Sequence, residues 1–75
     1  MAIYRSIIYV QHKDGSKPKG KKIVLGFSMG MTKPAYTDKD GKAIIEHASR
    51  GKATIYVKGS NKGTFNAPGE MVVFI

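Results

Sequence analysis

Turns that contain glycine divide the sequence into short runs of β-branched and aromatic residues. Residues 3–10, 22–32 and 53–58 have this character, as do the shorter runs 43–47 and 70–75. Eight Ile and five Val accompany a single Leu, which is a composition typical of strands. The best helical candidate is shorter than an ordinary helix and has Gly on both sides. Several short strands at this spacing predict an all-β antiparallel sandwich or barrel.

The run over residues 22–32 alternates most regularly. One face would carry large apolar side chains and would belong to the core: Ile23, Leu25, Phe27, Met29 and Met31. The other face would carry almost no side chains at Gly26, Ser28 and Gly30. Glycine in a strand marks a bulge or a close approach of another backbone or a ligand. The sequence therefore leaves two interpretations: a bulged strand that crosses the sandwich, or a strip that pairs with a partner strand.

The length of 75 residues predicts one small domain over residues 1–75. A domain of this size buries only about 60% of its unfolded surface, so we expect marginal stability. The absence of Cys excludes disulfides and thiolate ligands. The sequence has neither a signal-peptide pattern nor an apolar run of about 18 residues. We therefore expect no membrane span and, by default, a cytoplasmic location.

Positive charge is concentrated in one stretch. The chain carries 13 Lys and Arg against 5 Asp and Glu, a formal net charge of +8. Five lysines fall within residues 13–22: Lys13, Lys17, Lys19, Lys21 and Lys22. Such charge favours contact with nucleic acid, anionic lipid or an acidic protein face, and it also keeps a small β protein soluble. Because only two of the basic residues are Arg, specific recognition of phosphate or guanine is less favoured.

Residues 36–45 read YTDKDGKAII, and this segment resembles the Thr-Asp-x-x-Gly-x-Ala/Phe-x-Ile signature of carboxypeptidase regulatory-like domains. Upstream, residues 14–18 followed by 22–25 resemble the first turn and second strand of that family. Downstream, residues 51–57 resemble its "G-x-Y-x-V-x-V" strand, so the match covers about residues 7–60. The resemblance implies a small antiparallel Ig-like (prealbumin-like) β-sandwich of six to seven strands. It also implies an accessory, adhesive or scaffolding role, and it transfers no catalytic site.

Two motifs resemble ligand-binding loops only in part. Residues 15–21 have the G-x-x-x-x-G-K spacing of a P-loop. However, Lys22 stands where Ser or Thr must ligate Mg²⁺, and a strand follows in place of a helix. Asp38 and Asp40 begin like a calcium loop, but Ser49 occupies the twelfth position, where Glu is required. We therefore predict a lysine-rich loop and an Asx turn, with no metal and no cofactor.

The two histidines, His12 and His47, are too few for a closed zinc site without paired carboxylates. No Ser lies in a G-x-S-x-G elbow, so we expect surface histidines and no enzymatic activity. A small enzyme would require one of these histidines to lie in a cleft beside an acid.

A non-enzymatic binding or structural module is the function that the sequence favours. We expect its partner to be a protein or an acidic surface, contacted through the lysines of residues 13–22. The alternative is a small nucleic-acid-binding barrel of the oligonucleotide-binding type. In that case the lysines would follow phosphates, and tyrosines would stack on bases. The four tyrosines are Tyr4, Tyr9, Tyr36 and Tyr56.

Overall fold

The structure is a computed structural model that describes residues 3–75. Its eight strands are β1 (Tyr4–Gln11), β2 (Lys22–Phe27), β3 (Gly30–Met31), β4 (Ala35–Tyr36), β5 (Lys42–His47), β6 (Gly51–Val57), β7 (Ser60–Ala67) and β8 (Glu70–Phe74). Six strands have five or more residues, whereas β3 and β4 have two each. No helix occurs within residues 3–75, which confirms the all-β prediction. Residues 1 and 2 of the predicted domain lie outside the described residues.

The strands form two sheets. One has the order β5-β1-β8, and the other has the order β3-β2-β6-β7, with β4 also paired to β2. Every pair is antiparallel except β1 with β8, which is parallel. The prediction of a purely antiparallel arrangement is therefore wrong at this pair. β1 and β8 are the first and last strands, so the chain between them supplies the long connection that a parallel pair requires.

The core lies between the two sheets. Alternation along each strand turns one set of small or branched apolar side chains inward. The buried apolar residues are Ile8, Val10, Ile23, Leu25, Ala43, Ile45, Ala53, Ile55, Val57, Ala67 and Val73. Both sheets contribute to this cluster, so the structure is compatible with a small sandwich.

The prediction of one strand, bulged or not, over residues 22–32 is wrong. β2 ends at Phe27, the next two residues form a turn, and the chain returns as β3 with Gly30 opposite Phe27. The turn interrupts the alternation of inward and outward side chains. As a result Met29 and Met31 are 89% and 64% exposed instead of lying in the core.

The molecule is elongated, with principal extents of 38 × 19 × 17 Å. The turns at residues 12–21, 37–41 and 58–59 lie at one end, which we call the lysine end. The β2–β3 turn and the β5–β6 turn lie toward the other end, which we call the hairpin end. These two ends place different chemistry at opposite extremes of the molecule.

Candidate functional site

Nine of the thirteen basic residues, all within the described part of the chain, lie at or beside the lysine end. They are Lys13, Lys17, Lys19, Lys21, Lys22, Lys39, Lys42, Lys58 and Lys62. Three aspartates lie at the same end, so nine Lys and three Asp give it a net charge of +6. Most of the excess charge of the chain is therefore located there.

Five of these lysines are the predicted contact residues, and they lie in the β1–β2 loop and at the start of β2. Lys13, Lys17, Lys19 and Lys22 are exposed, and Lys21 is half-buried. Sequence reasoning missed the other four lysines, which flank the turns at residues 38–41 and 58–59. The sequence could have indicated these four lysines, because each of them lies within three residues of a glycine-containing turn.

The lysine-rich loop is fastened to the chain that follows β4. The hydroxyl of the buried Thr37 donates to the carbonyl of Pro18 at 2.9 Å and accepts the amide of Lys21 at 2.9 Å. The Gly20 amide donates to the Thr37 carbonyl at 2.8 Å, and the Thr37 amide donates to the Lys21 carbonyl at 3.0 Å. These four bonds hold the loop backbone in place while its lysine side chains stay in solvent.

The turn at residues 38–41 is the predicted Asx turn. The Asp38 carboxylate accepts the backbone amides of Asp40 at 2.8 Å and Lys42 at 3.0 Å. These bonds, that from Lys42 above all, lower the pKa of Asp38 from its usual 3.8. The Val10 amide donates to the Gly41 carbonyl at 2.8 Å, which joins this turn to β1.

Two of the three aspartates of the lysine end, Asp14 and Asp38, accept hydrogen bonds within their own turns. The Asp14 carboxylate accepts the amide of Ser16 at 2.9 Å and its hydroxyl at 2.8 Å, and these bonds lower the pKa of Asp14. Within residues 3–75 the one salt bridge joins Arg5 and Glu46, on the sheet that contains β1. The lysines of the lysine end thus have no ion-pair partner in the described chain.

The structure does not bring the predicted pairing strip of Gly26, Ser28 and Gly30 into one strand. Gly26 is paired on both edges, with Met31 on β3 and with Thr54 on β6, so it has no free edge for a partner strand. Ser28 lies in the turn and Gly30 in β3. The close neighbour of Gly26 is the Tyr56 ring, since a Cβ at Gly26 would lie 2.9 Å from Tyr56 Cε2.

His47 is buried, with 6% of its surface exposed, so the prediction of a surface histidine is wrong. Its Nδ1 lies 2.5 Å from the Ser49 carbonyl oxygen and therefore carries the proton in the neutral ring. Its Nε2 then accepts the Ser6 hydroxyl at 2.7 Å, and Ser6 Oγ accepts the Gly69 amide at 3.3 Å. The sequence contained a signal for this burial, because His47 shares the inward face of β5 with Ala43 and Ile45.

His12 lies in the turn after β1 and is half-buried. Its backbone accepts the Gly15 amide at 2.9 Å and donates to the Ser16 carbonyl at 2.8 Å. Within residues 3–75 no three His, Asp or Glu side chains are close enough together to hold a metal ion. The same part of the chain contains no helix with the length and apolarity of a membrane span.

The four tyrosines are distributed over the molecule. Tyr36 is exposed at the lysine end, opposite Lys22 in the β2–β4 pair. The Tyr9 hydroxyl donates to the Glu70 carboxylate at 3.1 Å, and this bond raises the pKa of Tyr9. The Tyr4 ring lies 6.0 Å from the ring of His47. Only one tyrosine, Tyr36, is therefore both exposed and adjacent to the lysines.

No protein-family model matches the chain, and no curated protein matches it. Among solved structures, the Bacillus anthracis TIE protein is similar in fold, with a TM-score of 0.70 and 12% sequence identity. The similar region covers 99% of this chain and 16% of that chain, so this chain spans about a sixth of the length of the TIE protein. At this identity the likeness concerns the fold alone.

Proposed function

We propose that the chain is a non-enzymatic binding module that recognises an acidic protein surface with its lysine end. The observation that carries this proposal is the convergence of nine lysines from three turns at one end of an elongated molecule. A concentrated field of one sign steers an oppositely charged partner and raises its association rate. The fixed loop backbone supports the proposal further, because lysines on an ordered loop lose less conformational entropy on binding.

The sandwich itself is proposed to be of the prealbumin-like type found in carboxypeptidase regulatory-like domains. The support is local: the turn at residues 38–41 uses Asp38 and Gly41 as the resemblance implies. A binding role without catalysis agrees with the state of the buried Ser6–His47 pair. Both ring nitrogens of His47 are occupied by hydrogen bonds, and Ser6 is 0% exposed, so Ser6 is not accessible to a substrate and His47 has no free ring nitrogen.

A titration with a fluorescein-labelled poly-Glu peptide tests the proposal. The key variant replaces Lys19 and Lys22 with Ser, and the matched control makes the same change at Arg5 and Lys33, which are also exposed but lie outside the lysine end. Both variants lose the same charge. We expect the lysine-end variant to bind about fivefold to thirtyfold more weakly, from about 0.5–1 kcal/mol per exposed contact. Equal weakening of both variants would show that net charge alone attracts the peptide, and the proposal would fail.

The nucleic-acid alternative retains one supporting observation, the exposed Tyr36 opposite Lys22. Binding of a labelled oligo-dT strand to the parent protein and to Tyr36→Ser tests this alternative. If bases stack on this ring, the variant should lose about 1–3 kcal/mol of binding free energy. An oligonucleotide that binds equally well to the parent and to Tyr36→Ser would contradict base stacking on this ring and remove the support that Tyr36 gives to the nucleic-acid alternative.

A further inference from the structure

A groove of 620 Å³ lies on the outer face of the sheet β3-β2-β6-β7, near the hairpin end. Its centre is a row of three paired residues, with Gly26 on β2 between Met31 on β3 and Thr54 on β6. The Tyr56 ring lies against Gly26 and also lines the groove.

The two sides of this groove differ in chemistry. The β2–β3 hairpin supplies Met29 and Met31, which are both exposed. Arg50 and Lys52, from the β5–β6 turn and the start of β6, line it on the side of β6. The lining includes no Asp or Glu. An apolar side therefore faces a basic side across β2, where the Tyr56 ring lies against Gly26.

We propose that this groove binds an extended peptide segment in which carboxylates alternate with apolar side chains. In such a segment successive side chains point to opposite sides, so the acids would meet Arg50 and Lys52 while the apolar residues would meet Met29 and Met31. Alternate residues of an extended chain are about 7 Å apart, and the Cα atoms of Arg50 and Lys52 can be separated by no more than about 7 Å. The positive charge of Arg50 and Lys52 and the spacing of alternate residues therefore both favour a peptide of this kind.

The form of the groove also favours a peptide over a small molecule. Small-molecule sites enclose most of the surface of their ligand, whereas this groove is open along the face of a sheet. Methionine side chains adapt their shape and are frequent on surfaces that bind peptides. The site is separate from the lysine end, so the two proposals can fail independently.

The binding test uses a labelled peptide, Gly-Ser-Asp-Phe-Asp-Leu-Asp-Gly-Ser, followed by fluorescence anisotropy. One control peptide has Asn for each Asp, and a second has Ser for Phe and Leu. We expect each control peptide to bind at least about fivefold more weakly, because each loses one of the two kinds of contact. No binding of the first peptide at concentrations up to about 1 mM would overturn the proposal.

Protein variants locate the binding. Met29→Ser and the double change Arg50→Ser with Lys52→Ser should each weaken binding about fivefold or more. All three side chains are exposed, so the fold should be retained, which circular dichroism checks. The control pair Arg5→Ser and Lys33→Ser removes the same charge outside both the groove and the lysine end and should leave the affinity within about twofold.

Loss of affinity in the Lys19→Ser, Lys22→Ser variant without loss in the groove variants would place the peptide at the lysine end and overturn the proposal. Sedimentation velocity of the protein alone tests whether a second copy of the chain occupies the groove. If the protein forms dimers and Met29→Ser dissociates them, the groove is a self-association surface, and the proposal is overturned.

Discussion

Gly41→Ala should be among the most destabilising single substitutions in this chain. Gly41 has φ +73°, and a Cβ there would collide with the backbone carbonyl oxygen of Val10. Gly20 is the matched control, since its φ is +75° and a Cβ there would meet nothing within 4 Å. Both substitutions incur the left-handed backbone cost of about 1–2 kcal/mol. Only Gly41→Ala adds overpacking against backbone, about 1–3 kcal/mol more.

The expected loss is therefore about 2–5 kcal/mol for Gly41→Ala and about 1–2 kcal/mol for Gly20→Ala. A 75-residue domain has a free energy of unfolding of about 4–11 kcal/mol, so the loss expected for Gly41→Ala is a large part of the total stability. Urea unfolding followed by far-ultraviolet circular dichroism measures both variants. If the two variants differ by less than about 0.5 kcal/mol, Val10 moves aside without cost. The 38–41 turn would then not be locked against β1, and our account of this motif would be refuted.

Three further changes probe other parts of the fold. Ser6→Ala removes the hydroxyl that donates to His47 Nε2 and should cost about 1–3 kcal/mol in urea unfolding, because a buried acceptor loses its partner. Lys58→Asn should stabilise the protein by about 0.5–1 kcal/mol in the same assay, since Lys58 has φ +52° in the β6–β7 turn and Asn tolerates that conformation. The urea midpoint should fall as the pH drops below about 4. The pKa of Asp38 is lowered in the folded state, so the stability that its carboxylate contributes is present above the unfolded pKa. That stability is lost as the pH falls through the folded pKa.

Each of these changes has a control. Ser28→Ala affects an exposed turn residue and should stay within about 0.5 kcal/mol of the parent. Lys62→Asn removes the same charge as Lys58→Asn without a positive φ to relieve, so equal stabilisation by both would contradict the turn argument. For the acid dependence, Asp38→Asn should flatten the fall of the midpoint below pH 4. A variant as acid-sensitive as the parent would assign that fall to other carboxyl groups, such as Asp14.

Strands that alternate without interruption could be predicted from the sequence, whereas the end of β2 could not. Residues 4–11 and 51–57 form β1 and β6 close to the runs identified by their β-branched content. The turn after Phe27 has Ser28 and Met29 at its centre. Ser favours turns more weakly than Asn or Asp and Met does not favour them, and the apolar alternation continues through this turn. Tertiary contact supplies what the local pattern lacks, because the Phe27 ring lies 5.1 Å from the ring of His47 on β5.

The groove depends on the same unpredicted turn. Only when the chain reverses after Phe27 does Met31 come to lie beside Gly26, and only then do the methionines face Arg50 and Lys52 across β2. No spacing in the sequence places residue 29 near residue 50. Strand pairing sets that proximity through contacts that are distant in sequence.

The sequence predicted only part of the lysine end, and the structure therefore changes the result expected when that end is neutralised. The contiguous stretch at residues 13–22 was visible in the sequence, but it supplies only five of the nine lysines at that end. The other four arrive on the turns at residues 38–41 and 58–59 through the pairing of β2 with β4 and β6. Neutralising the loop alone should therefore leave four of the nine lysines in place. The salt dependence of polyanion binding should then become about half as steep instead of vanishing, and a slope near zero would mean that Lys39, Lys42, Lys58 and Lys62 make no contact with the partner.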